Sequence, residues 1–386
     1  MNVSRRMFLK SSIAAGGALG LGLADHLAAE PTREGEFRQR SGSRGSRSLD
    51  ILILGGTNFT GPHHVRYALE RGHSVTIFTR GRREPGLFRE AFEHVEHLIG
   101  DREDNLEGLR GRCWDAVIDA SGMNEKWTRD SAQLLEDAVG TYLYISSTGV
   151  YYPYLTTEIE EDTELVLEDE SDGENIESWY GVMKALSEIE ARKAFGERTC
   201  IVRPGYIVGP LDWTHRGTYW PDRLARGGEV VVPGKKTDLV QQIDVRDLTE
   251  WIIHLLENEV HGVFNATGPA SPMTMQEFVH GMRAATSSEP TWAWIDDYDF
   301  LIEHEITYAI PWVLPVGDNL GSQRISNARA KAAGLTFRPV ALTAMETLEW
   351  YYSDAVTDEQ RANPPMVITP EREAEILTAW KARGPG

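Results

Sequence analysis

Short, nearly unbroken apolar runs alternate with segments whose apolar positions recur every three or four residues. Asp50 to Leu54 is one such run, and its lack of polar alternation predicts a parallel strand covered on both faces. His64 to Arg71 has helical spacing and closes at Gly72, and His73 to Thr79 reads as a second strand. Further strands are expected at Val95 to Ile99, Ala116 to Ala120, Tyr142 to Ser146 and Cys200 to Arg203, with helix-length polar segments between them. This alternation predicts an α/β fold, a doubly wound parallel sheet with a smaller, discontinuous substrate lobe. Val240 to Asn265 reads as a strand, a helix over Leu248 to Glu257 and a strand, returning the chain to the sheet.

The expected organisation is a signal over 1–29, a linker over 30–48, a sheet domain over 49–210 and 240–267, a lobe over 211–239 and 268–353, and an extension over 354–386. Ser4-Arg5-Arg6-Met7-Phe8-Leu9-Lys10, the Gly/Ala-rich run Ile13 to Leu23 and Ala28-Ala29 together resemble a twin-arginine export signal. The expected location is therefore the periplasm or cell exterior. The run falls well short of the ~20 residues needed to cross a bilayer, so no stable membrane anchor is expected. Thr32 to Ser48 has too few apolar side chains to offset chain entropy and reads as a linker.

Composition narrows the function. Lys and Arg number 39 against 59 Asp and Glu, a net charge of −20 that repels phosphate backbones, so nucleic-acid binding is disfavoured. Cys113 and Cys200 fall near the starts of the fourth and sixth strands. With the fifth strand between them no disulfide is expected. His63-His64 point to different sides of a helix with no second ligand cluster, and packing or solvation is the preferred reading, with no metal site. The acid-rich run Glu158 to Glu177 reads as a solvated flap. Trp213, Trp220, Trp292, Trp294 and Trp312 read as core rather than as a sugar platform.

The candidate chemistry lies at strand ends. Gly55-Gly56-Thr57-Asn58-Phe59-Thr60-Gly61 follows the first strand at once and opens a helix, a turn in which backbone N–H groups can hold a pyrophosphate. After the second strand, where an acid would hold ribose hydroxyls, stand Arg80 and Arg82, which can pair with a 2′-phosphate and favour NADP over NAD. Asp101 can accept from an adenine amino group or act as a turn residue, and Ala120 and Ser121 are small enough for a cofactor to lie close. Tyr180 and Lys184 share a helix face at i and i+4, where an ammonium would favour the phenolate. Ser146, Ser147 and Thr148 end the fifth strand in hydroxyls, and Pro204 leaves the sixth through a stiff turn that could wall the nicotinamide.

The glycine turn, Ser146-Ser147-Thr148-Gly149-Val150-Tyr151, Tyr180-x-x-x-Lys184, Arg203 to Pro210 and Ile243-Asp244-Val245-Arg246-Asp247 together resemble the extended short-chain dehydrogenase/reductase superfamily, specifically NAD-dependent epimerase/dehydratase-like proteins with a Rossmann domain. The resemblance implies Tyr180 as catalytic acid/base, Lys184 as its partner, Ser147 as the oxygen-orienting hydroxyl, and Gly55, Gly56 and Gly61 around the pyrophosphate. Departures bear on subclass. Asn58 and Phe59 replace the usual turn, as in a branch that includes reductase-like proteins and chloroplast RNA-binding relatives. Thr148-Gly149 replaces the Asp-Glu pair of sugar-nucleotide dehydratases, and Val240-Gln241-Gln242 lacks the arginine that holds a nucleotide-sugar diphosphate.

The sequence thus leads to an NAD(P)-dependent oxidoreductase or epimerase acting on a hydroxyl or carbonyl of a small, sugar-like substrate. The alternative is a non-catalytic dinucleotide-binding scaffold or interaction protein. Expected partners are the small-molecule substrate and the twin-arginine export machinery, with a homodimer left open.

Overall fold

The computed structural model describes residues 47–169, 171, 173–306, 310–364 and 368–383. The expected export signal and most of the linker lie outside them. β1 (Asp50–Leu54) is followed by α1 (Thr60–Glu70), β2 (Ser74–Thr79), β3 (Glu96–Ile99), β4 (Trp114–Asp119), α2 (Glu125–Leu135), β5 (Val139–Ile145), α3 (Ile176–Phe195) and β6 (Thr199–Pro204). These strands and β10 (Gly262–Ala266) form one sheet in the order β10-β6-β5-β4-β1-β2-β3. Every pairing in it is parallel. The reversal between β1 and β4 is the switch point at which such sheets open a crevice at their carboxyl ends.

Side-chain alternation builds the two faces. Ile51 and Ile53 pack with Val65 and Ala68 of α1 and with Leu248 and Ile252 of α5 (Val245–Glu257). Leu52 and Leu54 turn the other way, against Ala132 and Leu135 of α2 and Ala191 and Phe195 of α3. All four β1 side chains are fully buried, which explains the unbroken apolar run. Since β5 separates β4 from β6, Cys113 and Cys200 remain free thiols, the first exposed and the second buried.

The lobe has its own core. β8 (Glu229–Pro233) pairs in parallel with β11 (Thr291–Ile295), and both pack on α4 (Arg216–Ala225) and α6 (Met275–Arg283). Trp220 and Trp312 are buried there and Trp292 and Trp294 pack against them. The C-terminal helix, Pro370–Ala382, brings buried Ile376 into this core. Its Glu373 accepts from Arg223 Nε (2.6 Å) and the Val231 N–H (3.1 Å).

Two expectations change. Only β10 returns to the large sheet: β9 (Ile243–Asp244) pairs instead with β7 (Ile207–Val208) as a two-residue strap between sheet and lobe. The Glu158 to Glu177 run is also not simply solvated. Ile159 is buried and bridges Ile325, and Glu161 is buried where the Asn265 N–H donates to it at 2.9 Å. Its acids look like a solvated surface in sequence because their partners lie more than a hundred residues away.

His63 and His64 are buried in α1. His63 Nε2 pairs with the Pro210 carbonyl at 3.0 Å, while neither ring nitrogen of His64 has a partner. Burial pulls His63 from 6.5 down to about 4, against the Pro210 hydrogen bond, and burial with the neighbouring His63 pulls His64 to about 3. Both are neutral in the fold at neutral pH, whereas an unfolded chain binds their protons near 6.5. Their contribution is therefore complete above pH 6.5 and lost as pH falls through 6.5 towards 4. Urea denaturation at pH 7.5 and pH 5 is expected to show a loss of about 2 kcal/mol per histidine. His64→Leu should remove one share of that slope, and a slope that persists undiminished refutes the assignment.

Candidate functional site

The glycine turn leaves β1 at the switch point. The Gly55 N–H donates to Phe78 O at 3.0 Å, and Gly55 and Gly56 adopt φ of 109° and 112°, a region that side chains rarely enter. A Cβ on Gly56 would lie 2.8 Å from Ile77 Cγ2, and one on Gly61 would lie 2.5 Å from Gly56 Cα. The turn is thus as tight as the backbone allows. Phe59, at φ 41°, launches α1 at Thr60, four residues before the apolar pattern begins. Among the described residues, nothing accepts from the N–H groups of Gly56, Thr57, Asn58 or Phe59. Together with the α1 amino end they form a cradle that fits a diphosphate.

The flanking residues converge on this cradle. Gly55 lies against Ala120 and Ser121 at the end of β4. Asn58 is joined to the loop after β2, since Arg83 Nη1 donates to its Oδ1 at 2.6 Å. Arg80 and Arg82 are exposed and make no hydrogen bond or ion pair among the described residues. The Asp101 carboxylate accepts from the Glu103 N–H at 3.1 Å within a turn closed by Asn105. Pro204 ends β6 and is buried in register with Ala266.

Sequence reasoning missed a charge buried beside the cradle. Arg102 forms a bidentate ion pair with fully buried Asp119 and also donates to Ser131 Oγ (2.8 Å) and Ser121 Oγ (3.3 Å). Burial alone would raise the Asp119 carboxyl, but the Arg102 guanidinium and the Tyr142 hydroxyl (2.8 Å) hold it below the usual range.

The three hydroxyls that end β5 have separate surroundings. Ser146 donates to Glu188 Oε1 at 2.5 Å, Ser147 Oγ accepts from the Gly149 N–H at 3.0 Å, and Thr148 is buried. Ser147 and Tyr180, both half-buried, stand side by side against Gly149. Their approach depends on two glycines. A Cβ on Gly149 would press on the Tyr180 ring at 3.3 Å, and one on Gly181 would overlap the Gly149 carbonyl oxygen.

Lys184 behaves differently from the expectation. Its Nζ donates to the carbonyls of Gly122 and Ile145, each at 2.9 Å, and lies 4.9 Å from the Tyr144 ring centroid but 5.9 Å from that of Tyr180. Burial lowers the ammonium to about 8, opposed by Asp119. Burial likewise pushes the Tyr180 phenol above its ordinary value of 10, and the groups that pull it back are Ser147 and Arg216. The i, i+4 spacing places both side chains on one face but does not fix where the long lysine ends.

A second ion pair anchors α3 beneath the site. Arg203 donates Nε and Nη2 to Glu188 (2.8 and 2.6 Å) and Nη1 to the Tyr151 hydroxyl (2.6 Å), which in turn donates to Asn265 Oδ1 (2.9 Å). Arg203 and Glu188 are almost wholly buried, so each satisfies a charge the other would leave stranded.

A model of the NAD dependent epimerase/dehydratase family matches residues 51–266. The chain is 30% identical over 238 residues to the chloroplast stem-loop binding protein of 41 kDa b of Arabidopsis thaliana, covering 58% of this chain and 60% of that protein. It is 25% identical to the epimerase family protein SDR39U1 of Bos taurus, across 61% of this chain and 80% of that one. The fold is similar to that of human SDR39U1 with NADPH (TM-score 0.53, 21% identity, 78% and 99% coverage). It is also similar to that of the Bordetella bronchiseptica enzyme WbmH with NAD+ (TM-score 0.55, 16% identity, 80% and 100% coverage).

The Gly181 contact is open to measurement. Alanine for glycine in a helix ordinarily gains ~1 kcal/mol, but here the added methyl meets backbone that cannot rotate away. Gly181→Ala is expected to lose ~1–3 kcal/mol in urea denaturation; unchanged or increased stability would remove the close contact as a constraint.

Proposed function

Because the chain belongs to the NAD dependent epimerase/dehydratase family, we propose that it is an NAD(P)-dependent oxidoreductase or epimerase in which Tyr180 transfers a proton to or from a substrate oxygen. The carrying observation is the Ser147 hydroxyl set beside the Tyr180 ring against Gly149, just past the carboxyl end of β5 and across from a glycine turn with unclaimed N–H groups. The turn from Gly55 to Gly61 would hold the diphosphate, with Ala120 and Ser121 alongside and Pro204 behind the nicotinamide. When bound, the nicotinamide supplies hydride exchange at the carbon bearing the reacting oxygen.

The residues of this chain do the remaining work. Ser147 orients the substrate oxygen towards Tyr180. Burial keeps the phenol protonated at neutral pH, which suits it to donate as a carbonyl oxygen gains electron density. In the reverse direction the same oxygen accepts the alcohol proton. Lys184 acts by fixing the ends of β4 and β5 on either side of that pair. NADP is the preferred cofactor because Arg80 and Arg82 are exposed without partners after β2. Structures of this fold hold NADPH or NAD+, which supports a nicotinamide dinucleotide of either kind.

On a panel of small sugars and alcohols, Tyr180→Phe is expected to lower turnover ~10²- to 10⁴-fold while dinucleotide affinity stays within about threefold. Dinucleotide binding with turnover indifferent to Tyr180→Phe would favour the non-catalytic scaffold instead. Replacing Arg80 and Arg82 together by Ala should weaken NADP about tenfold or more in a fluorescence titration and leave NAD unchanged. Equal losses for both dinucleotides would contradict the 2′-phosphate assignment.

A further inference from the structure

We propose that Arg216 receives a carboxylate carried by the substrate, so that the site selects sugar acids over their neutral parent sugars. The proposal deepens the reading of Tyr180 as the acid/base group and rests on it.

Arg216 is the first residue of α4 and comes to the crevice from the lobe. Its Nε donates to Thr214 Oγ1 at 3.1 Å, and Thr214 is itself bound to Asp212, which is 1% exposed. The Asp212 carboxylate also accepts from the N–H groups of Thr214 (3.0 Å) and Gly217 (2.9 Å), so the loop carrying Arg216 is fixed from within. The guanidinium stacks over Tyr206, 5.1 Å from its ring centroid, and the Tyr206 side chain is 41% exposed just beyond the end of β6. Stem and plane are therefore set. Among the described residues, neither Nη1 nor Nη2 has a hydrogen bond or an ion pair.

The surroundings say what those nitrogens can hold. The Arg216 charge acts on the Tyr180 phenol and on the Glu177 carboxylate, one turn earlier on α3. Asp318 also acts on Glu177, so two carboxylates share this rim with one guanidinium. A planar carboxylate matches the two Nη groups in a fork and adds one negative charge, whereas a phosphate monoester adds nearly two against the same two acids. In a chain of net charge −20, a fixed guanidinium with free donors provides the counter-charge that a monoanionic hydroxy substrate needs.

The test uses the full chain saturated with NADP and calorimetric titration of D-glucuronate, D-galacturonate and D-mannuronate against the parent hexoses and D-glucose 6-phosphate. At least one sugar acid is expected to bind about tenfold or more tightly than its parent. Arg216→Gln should abolish that preference with NADP affinity unchanged, and Arg216→Lys should keep part of it. No preference for any acid, a preference surviving Arg216→Gln, or tighter binding of the phosphate ester overturns the proposal. The Tyr180→Phe protein should retain the preference, so a failure here is separate from turnover that persists without the phenol.

Discussion

One buried ammonium ties together the edge on which the site is built. Lys184 Nζ reaches from α3 to the carbonyls of Gly122 and Ile145, one beyond β4 and the other closing β5, and so sets their spacing next to the switch point. Taking that charge out of water is costly, as its fall to about 8 records, and Asp119 and Glu188 offset part of the cost. Both Ser121 and Ser147 lie within two residues of the carbonyls it holds. The cradle and the hydroxyl pair are positioned by the same side chain.

Two ion pairs extend this arrangement in opposite directions. Arg102 and Asp119 stiffen the β4 end next to the glycine turn, while Arg203 and Glu188 hold α3 to β6 and, through Tyr151 and Asn265, to β10. Each pair is buried and hydrogen-bonded, so removing one member would strand its partner in a medium of low polarity. Such pairs contribute little net stability over an apolar substitute, but they tolerate few alternative positions. That restriction suits strand ends that must present Ser147, Tyr180 and Ser121 within one crevice.

Most of the framework was legible because it is written locally. The unbroken run Ile51 to Leu54 reflects burial on both faces, and the glycine turn stands directly between strand and helix. The spacing of Tyr180 and Lys184 likewise follows from one helical turn. What escaped depends on partners distant in sequence: Arg102 with Asp119, Arg203 with Glu188, Glu161 with Asn265. The lysine was placed on the right face, but its preference for two carbonyls over the phenol arises from strand ends that meet only in the folded sheet. Arg216 carried no motif at all, and its standing derives from Tyr206 and Thr214 beside it.

The lobe core is completed by the helix Pro370–Ala382, whose Ile376 fills it and whose Glu373 receives Arg223 and the backbone of β8. Ribosomes deliver that helix after every other element of the lobe. While the chain is still being made, Arg223 is a cation awaiting its counterion and an apolar surface stands open beside β8. Vectorial synthesis therefore lets the sheet domain begin packing from its amino-terminal strands, whereas the lobe core can close only once that helix has emerged.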